Sequence, residues 1–528
     1  MSRVPELCIA DARIVDGTGA LAFEGSVFVA GNRIHRIVRN GERLPAVAKR
    51  IDAGGRVLAP GFIDPHQHSD LSPFIEPWMD SYLRQGVTTA VVGNCGWSAV
   101  PPAAAKDLTS DHGVDADDPG LRWATFEEYL AAVDDARPAI NIATLIGHGG
   151  LRKEVMGLAE APTDGQMDEM AEVVEEGMRA GAVGLSTGLV YQPNVLATTD
   201  EVVELARVIE PFGGIYASHI RGENRALFAA VDECIDIGRR AGVPSHISHL
   251  KLEGEPMWGR VGELLDRIDS AREGGADVST DQYPYTGWES ILASLLPPWA
   301  PVEGLELSLK RDPERLRAAV EEGDEGWESS VDGVGWDRIV VVAHTESDHS
   351  GRSIAAIAAD RGGEPFDAFC ELLLEDPLTW CIGHAMHEDD VRTILARPDV
   401  MVGSDGTASS VDGPLGRFPV HPRYYGTFPR VLGRYARDES AVSLEDAIRK
   451  MTSLPADRFR LGDRGRVAEG AIADLVLFDP ERVNDLATFE EPHVYADGID
   501  VVVVGGRVAW DGAHGARNGR AVRRDGTE

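Results

Sequence analysis

Cysteine is scarce in this chain, with five residues in 528, too few and too scattered for a disulfide framework. Lysine is almost as rare: six residues, so that 45 of the 51 basic side chains are arginine. Positive charge as a whole is outnumbered. A formal net charge of −36 argues against nucleic acid and against an anionic membrane surface as partners. No apolar run reaches transmembrane length, and the opening "MSRVPELCIADARIVDG" has no basic leader followed by an apolar core. The expected location is therefore the cytoplasm. Internal repeats and low-complexity tracts are missing too. What is present, 43% hydrophobic and 26% charged residues, is the composition of an ordinary globular protein.

Texture divides the chain. Residues 1–60 and 466–528 read as short strands between turns, as in "GSVFVAGNRIHRIV" and "IDVVVVGGRVAWDG", and neither end can close a core alone. The two are expected to join in one small β-sandwich domain. Between them, over 61–465, apolar strands alternate with helical segments, the pattern of βα units around a parallel sheet. "DGQMDEMAEVVEEGMRAGA" is a clear helix, with Met167, Met170, Val174 and Met178 on one face. Strands at "GFIDPHQH", "AVVGN", "NIATLIGH", "AVGLST", "GIYASHI", "PSHISHL", "ADVSTDQY" and "VMVGSD" make eight. Eight such strands predict a (β/α)8 barrel, whose chemistry lies at the C-terminal strand ends. The stretch around 297–340 breaks the alternation and reads as an insertion over the barrel mouth.

Chemistry-bearing residues gather at those strand ends. "GFIDPHQHSD" places His66 and His68 two apart, so that an extended chain turns both imidazoles to one side. "VVGNCGW" ends a strand on a lone thiol, Cys95, between turn-forming residues; "IYASHIRGE" contributes His219 and "HISHLK" contributes His249. His246 and His249 face opposite ways on strand alternation, so only one looks inward. A solitary cysteine is ordinarily a small buried hydrophobe, and His-x-His alone is a weak signal. Imidazoles and a thiolate converging on one rim form a zinc-type set, because hard ions prefer carboxylates.

The chain resembles the N-acyl-D-amino acid deacylases (D-aminoacylases) of the amidohydrolase superfamily. The likeness runs nearly end to end, through "PGFIDPHQHSD", "GVTTAVVGNCG", "GAVGLSTGLVYQPN", "YASHIRGE", "DQYPY", "VGSDG" and "HPRYYGTFPRVLGRYARD". His-x-His marks only the superfamily, whereas the Asn-Cys-Gly turn with "HPRYYGTFPRVLG" marks this branch. The resemblance implies one tight zinc on Cys95, His219 and His249, and a second, weaker position on His66, His68 and the shared Cys95. It implies Asp405, at the end of "VMVGSD", as the group that takes a proton from the attacking water and returns it to the leaving amine. It also implies that Arg423, Lys251 and Tyr283 hold the substrate's free carboxylate; a guanidinium matches that group with two parallel hydrogen bonds. The substrate would be an N-acyl-D-amino acid.

Other readings are open at this point. A cyclic-amide hydrolase of the hydantoinase or dihydropyrimidinase type is an alternative, but such enzymes generally bridge their metals with a carboxylated lysine. A scaffold that has lost catalysis is a further one, which retention of every candidate ligand and Asp405 counts against. His148 in "IGHGG" reads equally as a supporting or a substrate-touching group, and His384 and His387 as residues near the rim. Trp288 and the 297–340 insertion are candidates for the side-chain pocket. "GTASSVDGPLGRFPVHP" reads as a mobile loop that gates the site, and Cys8, Cys234, Cys370 and Cys381 as packing residues.

Overall fold

The computed structural model describes residues 5–39, 47–111, 119–300, 304–345, 347–417 and 420–524. Eight parallel strands follow one another around a barrel: β1 (Phe62–Asp64), β2 (Val87–Val92), β3 (Asn141–Gly147), β4 (Gly184–Gly188), β5 (Ile215–His219), β6 (Ser245–Ile247), β7 (Val278–Gln282) and β8 (Val400–Val402). These are the eight strands that the sequence predicts. Every residue of β2 and β3 is buried, as expected where helices cover one face and the barrel interior the other. The helix Asp164–Ala180 after β3 begins with a reciprocal cap between Thr163 and Gln166, ends on Gly181 at φ 113°, and buries Met170, Val174 and Met178. Met167 is only half-buried.

The barrel closes at its upper rim. Gln67 bridges to Gly406, His68 N donates to Gly406 O (2.9 Å) and Asp405 N to His66 O (2.8 Å). The segments that carry the His-x-His pair and Asp405 thus form the seam between β1 and β8.

Both chain ends enter one mixed eight-stranded sheet, in the order 507–510, 499–504, 475–478, 57–60, 7–14, 23–30, 33–39, with 49–52 paired alongside 7–14. Ile34 N donates to Ala471 O (2.8 Å) and Ala473 N to Asn32 O (2.9 Å), so the sheet curls back and encloses a core of Ile9, Val27, Leu58, Leu475 and Val503. The last described residues, up to Arg524, leave this sheet. Val522 N donates to Ile142 O (2.7 Å) and Arg524 N to Gly181 O (3.0 Å), which pins the tail along β3.

The insertion expected at 297–340 is the middle of a longer excursion between β7 and β8. It carries an antiparallel sheet of Trp288–Ile291, Ile339–Ala343, Arg352–Ser353 and Trp380–Gly383 and the helices Leu305–Arg311 and Pro313–Glu322. Its strands and helices alternate much as the barrel's do, which hides its limits in the sequence. Residues 301–303 of it lie outside the described residues. No helix among the described residues is long and apolar enough to cross a membrane.

Asp474 joins the sheet to the barrel. Its carboxylate accepts from Asn141 Nδ2 (3.1 Å) and Gly505 N (2.6 Å) and pairs with Arg464 Nε (3.3 Å), while its carbonyl accepts from Gly61 N (2.9 Å). Asp474→Ala leaves the Gly505 N–H without its acceptor and the Arg464 charge without its counter-ion, although Arg464 Nη1 keeps Leu461 O and Asn141 Nδ2 keeps Thr88 O. The expected loss is about 3 kcal/mol, read as a lower apparent Tm; an unchanged melting curve would show that the junction does not depend on this carboxylate.

Candidate metal centre

Three residues at the rim adopt a backbone that side chains rarely take. Cys95 (φ 53°), His249 (φ 37°) and Asp405 (φ 53°) all lie in the left-handed region, where a non-glycine residue costs on the order of 1–3 kcal/mol and persists only if its surroundings enforce it. Around Cys95 the enforcement is visible. Gly93 (φ 78°) would drive a Cβ to 2.3 Å from Leu145 O, and Gly96 (φ 81°) would drive one to 2.8 Å from the Asn194 amide. Gly96 N donates to Ser186 Oγ (3.1 Å), and Gly150 N donates to Gly96 O (3.1 Å). His148 lies behind this turn: its Nδ1 meets Asn194 Oδ1 (3.0 Å) and its Nε2 meets Glu201 Oε1 (2.9 Å), with Arg152 on the same carboxylate. Both ring nitrogens are occupied, so His148 braces the turn and takes no part in the cleft.

The strand ends bring together two donor sets that share one sulfur. Cys95, His219 and His249 form one; His66, His68, Cys95 and Asp405 form the other, with the donor atoms of each set within 4.8 Å of one another. His249 Nε2 is 3.0 Å from His219 Nδ1 and 3.8 Å from Cys95 Sγ, and His66 Nε2 is 3.3 Å from the same sulfur. Burial alone would raise the Cys95 thiol, but His66 and hydrogen bonds from His219 and His249 override it and bring it well below its ordinary range. Buried lone pairs aimed at common points, with few protons to share among them, suit a divalent cation, and thiolate with imidazole is the donor chemistry of zinc.

Carboxylates orient these ligands from behind. Asp281 Oδ2 lies 3.3 Å from His66 Nδ1 and 2.7 Å from His246 Nε2, and its Oδ1 accepts from His249 N (3.0 Å). It therefore fixes the ring of one candidate donor and the strained backbone of another. His246 is spent on Asp281 and Ser279 and lies outside both sets. Glu223 Oε1 reaches His249 Nδ1 (3.1 Å) and Lys251 Nζ (2.6 Å). Burial would raise Glu223, but Lys251, His219 and His249 hold it well below the carboxylate range. Neither Asp281 nor Glu223 is evident among 87 acidic residues, although both lie within quoted motifs: Asp281 opens "DQYPY" near the end of β7, and Glu223 stands four residues after His219.

Asp405 faces the cleft. One oxygen lies 3.2 Å from His66 Nε2 and 3.0 Å from His68 Nε2, and the other lies 2.9 Å from Arg423 Nη1. Burial pushes its pKa up, yet Arg423 and His66 outweigh this and hold it well below the usual range. Arg423 and Lys251 flank the Tyr283 ring at 5.0 and 5.7 Å, so the three expected carboxylate-binding residues do converge. Lys251 is engaged with Glu223 there, and Arg423 with Asp405.

The cleft forks at Tyr191, Glu289, Ser290 and Asp405. One arm, about 410 Å3, is lined by Ile291, Leu296, Leu378 and Trp380; the other, about 70 Å3, by Glu223, Lys251, Glu253 and Trp288. The first strand of the excursion thus forms a wall of the site, with Trp288 Nε1 donating to Glu253 Oε1 (2.9 Å). His384 packs on Phe489, and His387 caps the helix Glu388–Ala396, both away from the cleft. In the loop expected to be mobile, Phe418 and Pro419 lie outside the described residues. Its earlier part is pinned: Ala408 N donates to Ser69 Oγ (2.7 Å), Ser409 N to Ser81 Oγ (3.0 Å) and Leu415 N to Glu76 Oε1 (2.6 Å).

Comparison with known proteins agrees with this geometry. A model of the family described as "Amidohydrolase family" matches residues 49–279 and 318–509. The D-aminoacylase of Alcaligenes xylosoxydans xylosoxydans is 38% identical over 96% of this chain and 94% of its own. Among solved structures, a D-aminoacylase described as having a binuclear metal centre, with one-metal activation and second-metal attenuation, is 35% identical. It superposes with a TM-score of 0.83 over 98% of this chain and 100% of that one. The N-acyl-D-glutamate deacylase of Bordetella bronchiseptica, solved with zinc and a phosphonate mimic of the tetrahedral intermediate, is 36% identical, with a TM-score of 0.82 over 99% and 100% of the two chains. The L-hydantoinase of Arthrobacter aurescens, at 14% identity and a TM-score of 0.56, shares the fold alone.

Asp281→Asn removes the charge that orients His66 and His246 while preserving volume. Metal affinity should fall about 10- to 100-fold, measured by competition with a chromophoric chelator. Unchanged affinity would make Asp281 a filler of the barrel interior.

Proposed function

The chain belongs to the amidohydrolase family, and from that premise we propose that it is a metal-dependent hydrolase of N-acyl-D-amino acids, cleaving the amide bond to a carboxylate and a free D-amino acid. The observation that carries this reading is the pair of donor sets joined at Cys95 with Asp405 beside them at the cleft floor. In it Cys95, His219 and His249 hold one tight zinc, and His66, His68 and Cys95 form a weaker second position near Asp405.

A divalent ion bound there supplies Lewis-acid polarisation of the amide carbonyl and acidifies water. The rest falls to the chain. Asp405, held ionised, takes the proton of the attacking water on a carboxylate oxygen and carries it to the nitrogen of the departing amine, which cannot leave as an anion. Arg423 Nε and Tyr283 Oη are buried with no hydrogen-bond partner. A substrate α-carboxylate provides the acceptor that both donors lack, and Lys251 adds positive charge alongside. A hydantoin or dihydropyrimidine ring has no free carboxylate and leaves them unmet, which is the physical reason to prefer the linear substrate.

The test is hydrolysis of matched N-acetyl-D- and N-acetyl-L-methionine together with the D-substrate's carboxamide. The D-acid should be the good substrate. Arg423→Ala should lower kcat/KM on it by about 2–4 kcal/mol, because a charge-assisted pair is lost, and should matter little on the carboxamide. Equal losses on acid and carboxamide would make Arg423 a structural partner of Asp405 only.

A further inference from the structure

The cations lining the cleft are already matched. Lys251 pairs with Glu223 (2.6 Å), Arg221 with Glu233 (2.9 Å), Arg423 with Asp405 (2.9 Å) and Lys153 with Asp107 (2.6 Å). Two buried carboxyl groups have no such match. Glu253 meets no cation; it accepts from the Trp288 indole N–H and has the Ser330 hydroxyl beside it. Glu289, on the first strand of the excursion, accepts from His421 N through Oε1 (3.0 Å) and has the Tyr424 hydroxyl and the Arg423 charge close by, while its Oε2 is buried and makes no hydrogen bond of good geometry. Glu289 is only 8% exposed and lines both arms at the fork. A buried carboxylate oxygen without a donor is costly, and in a ligand cleft it marks where a donor of the ligand belongs.

We propose that Glu289 selects the substrate's side chain, admitting N-acyl-D-amino acids whose side chain presents a hydrogen-bond donor, neutral or cationic, and rejecting those that carry a second carboxylate. The inference rests on the deacylase reading and refines it. Relatives of near-equal identity include both a D-aminoacylase and an N-acyl-D-glutamate deacylase, so identity does not choose between substrates, whereas the charge of the wall does. The α-carboxylate has its donors in Arg423, Tyr283 and Lys251. The remaining cations of the cleft, Arg221 and Lys153, are paired with Glu233 and Asp107, so a second carboxylate would meet the Glu289 charge without a counter-ion of its own, and like charges in contact repel.

N-acetyl-D-glutamine and N-acetyl-D-glutamate are nearly isosteric and differ in the group offered to Glu289. The experiment measures kcat/KM for both, and for N-acetyl-D-methionine, at pH 8. That lies above the value of about 7 to which burial raises Glu289. Wild type should favour glutamine over glutamate on the order of 100-fold. Glu289→Gln should shrink that ratio about tenfold or more, and a ratio within one preparation cancels any loss of active protein. A wild-type ratio near one, or a ratio unmoved by the substitution, overturns the assignment; equal slowing on all three substrates would place Glu289 on the amide N–H that they share and would overturn it too. If wild type turns over none of the three, the deacylase reading itself falls and this inference with it.

Discussion

Cys95 belongs to both donor sets, and its sulfur stands where it does because the chain around it leaves no other path. Gly93 and Gly96 press against β3 and Asn194 with no room for side chains, Ser186 and Gly150 tie down the turn, and the His148–Glu201–Arg152 cluster braces it from behind. The left-handed backbone of Cys95 is stored strain that this packing stabilises. His249 and Asp405 repeat the pattern at two other strand ends.

The same rim closes the barrel. His66 and Asp405 contribute backbone hydrogen bonds to the seam between β1 and β8 while their side chains face each other across the cleft. Closing the barrel therefore also sets Asp405 against the histidines. The excursion between β7 and β8 is built differently. It adds a separate sheet whose first strand brings Trp288 and Glu289 to the cleft wall, whereas the donor sets lie on the barrel's own strand ends.

Much of this could be read from residue order alone, for a physical reason. His219 ends its strand, and His66, His68, Cys95, His249 and Asp405 lie just past theirs; a parallel barrel collects its C-terminal strand ends at one rim. What the sequence hides is pairing at a distance. Asp281 and Glu223 look like any acid until the fold sets them behind histidines. Arg423 reads as a substrate clamp, and its ion pair with Asp405 depends on the path of the intervening loop. The excursion's true extent, from Trp288 to Gly383, is masked because its segments mimic βα texture. His384 and His387, suggestive by residue type, are a packing group and a helix cap.

The central claim is that one thiolate serves the metal centre. X-ray absorption at the zinc edge of protein loaded with one equivalent of zinc tests it directly. The expected first shell is one sulfur scatterer at about 2.3 Å with two imidazole nitrogens at about 2.0–2.1 Å, the sulfur disappearing in Cys95→Ser. A first shell of nitrogen and oxygen only, in protein that turns over its substrate, would contradict it.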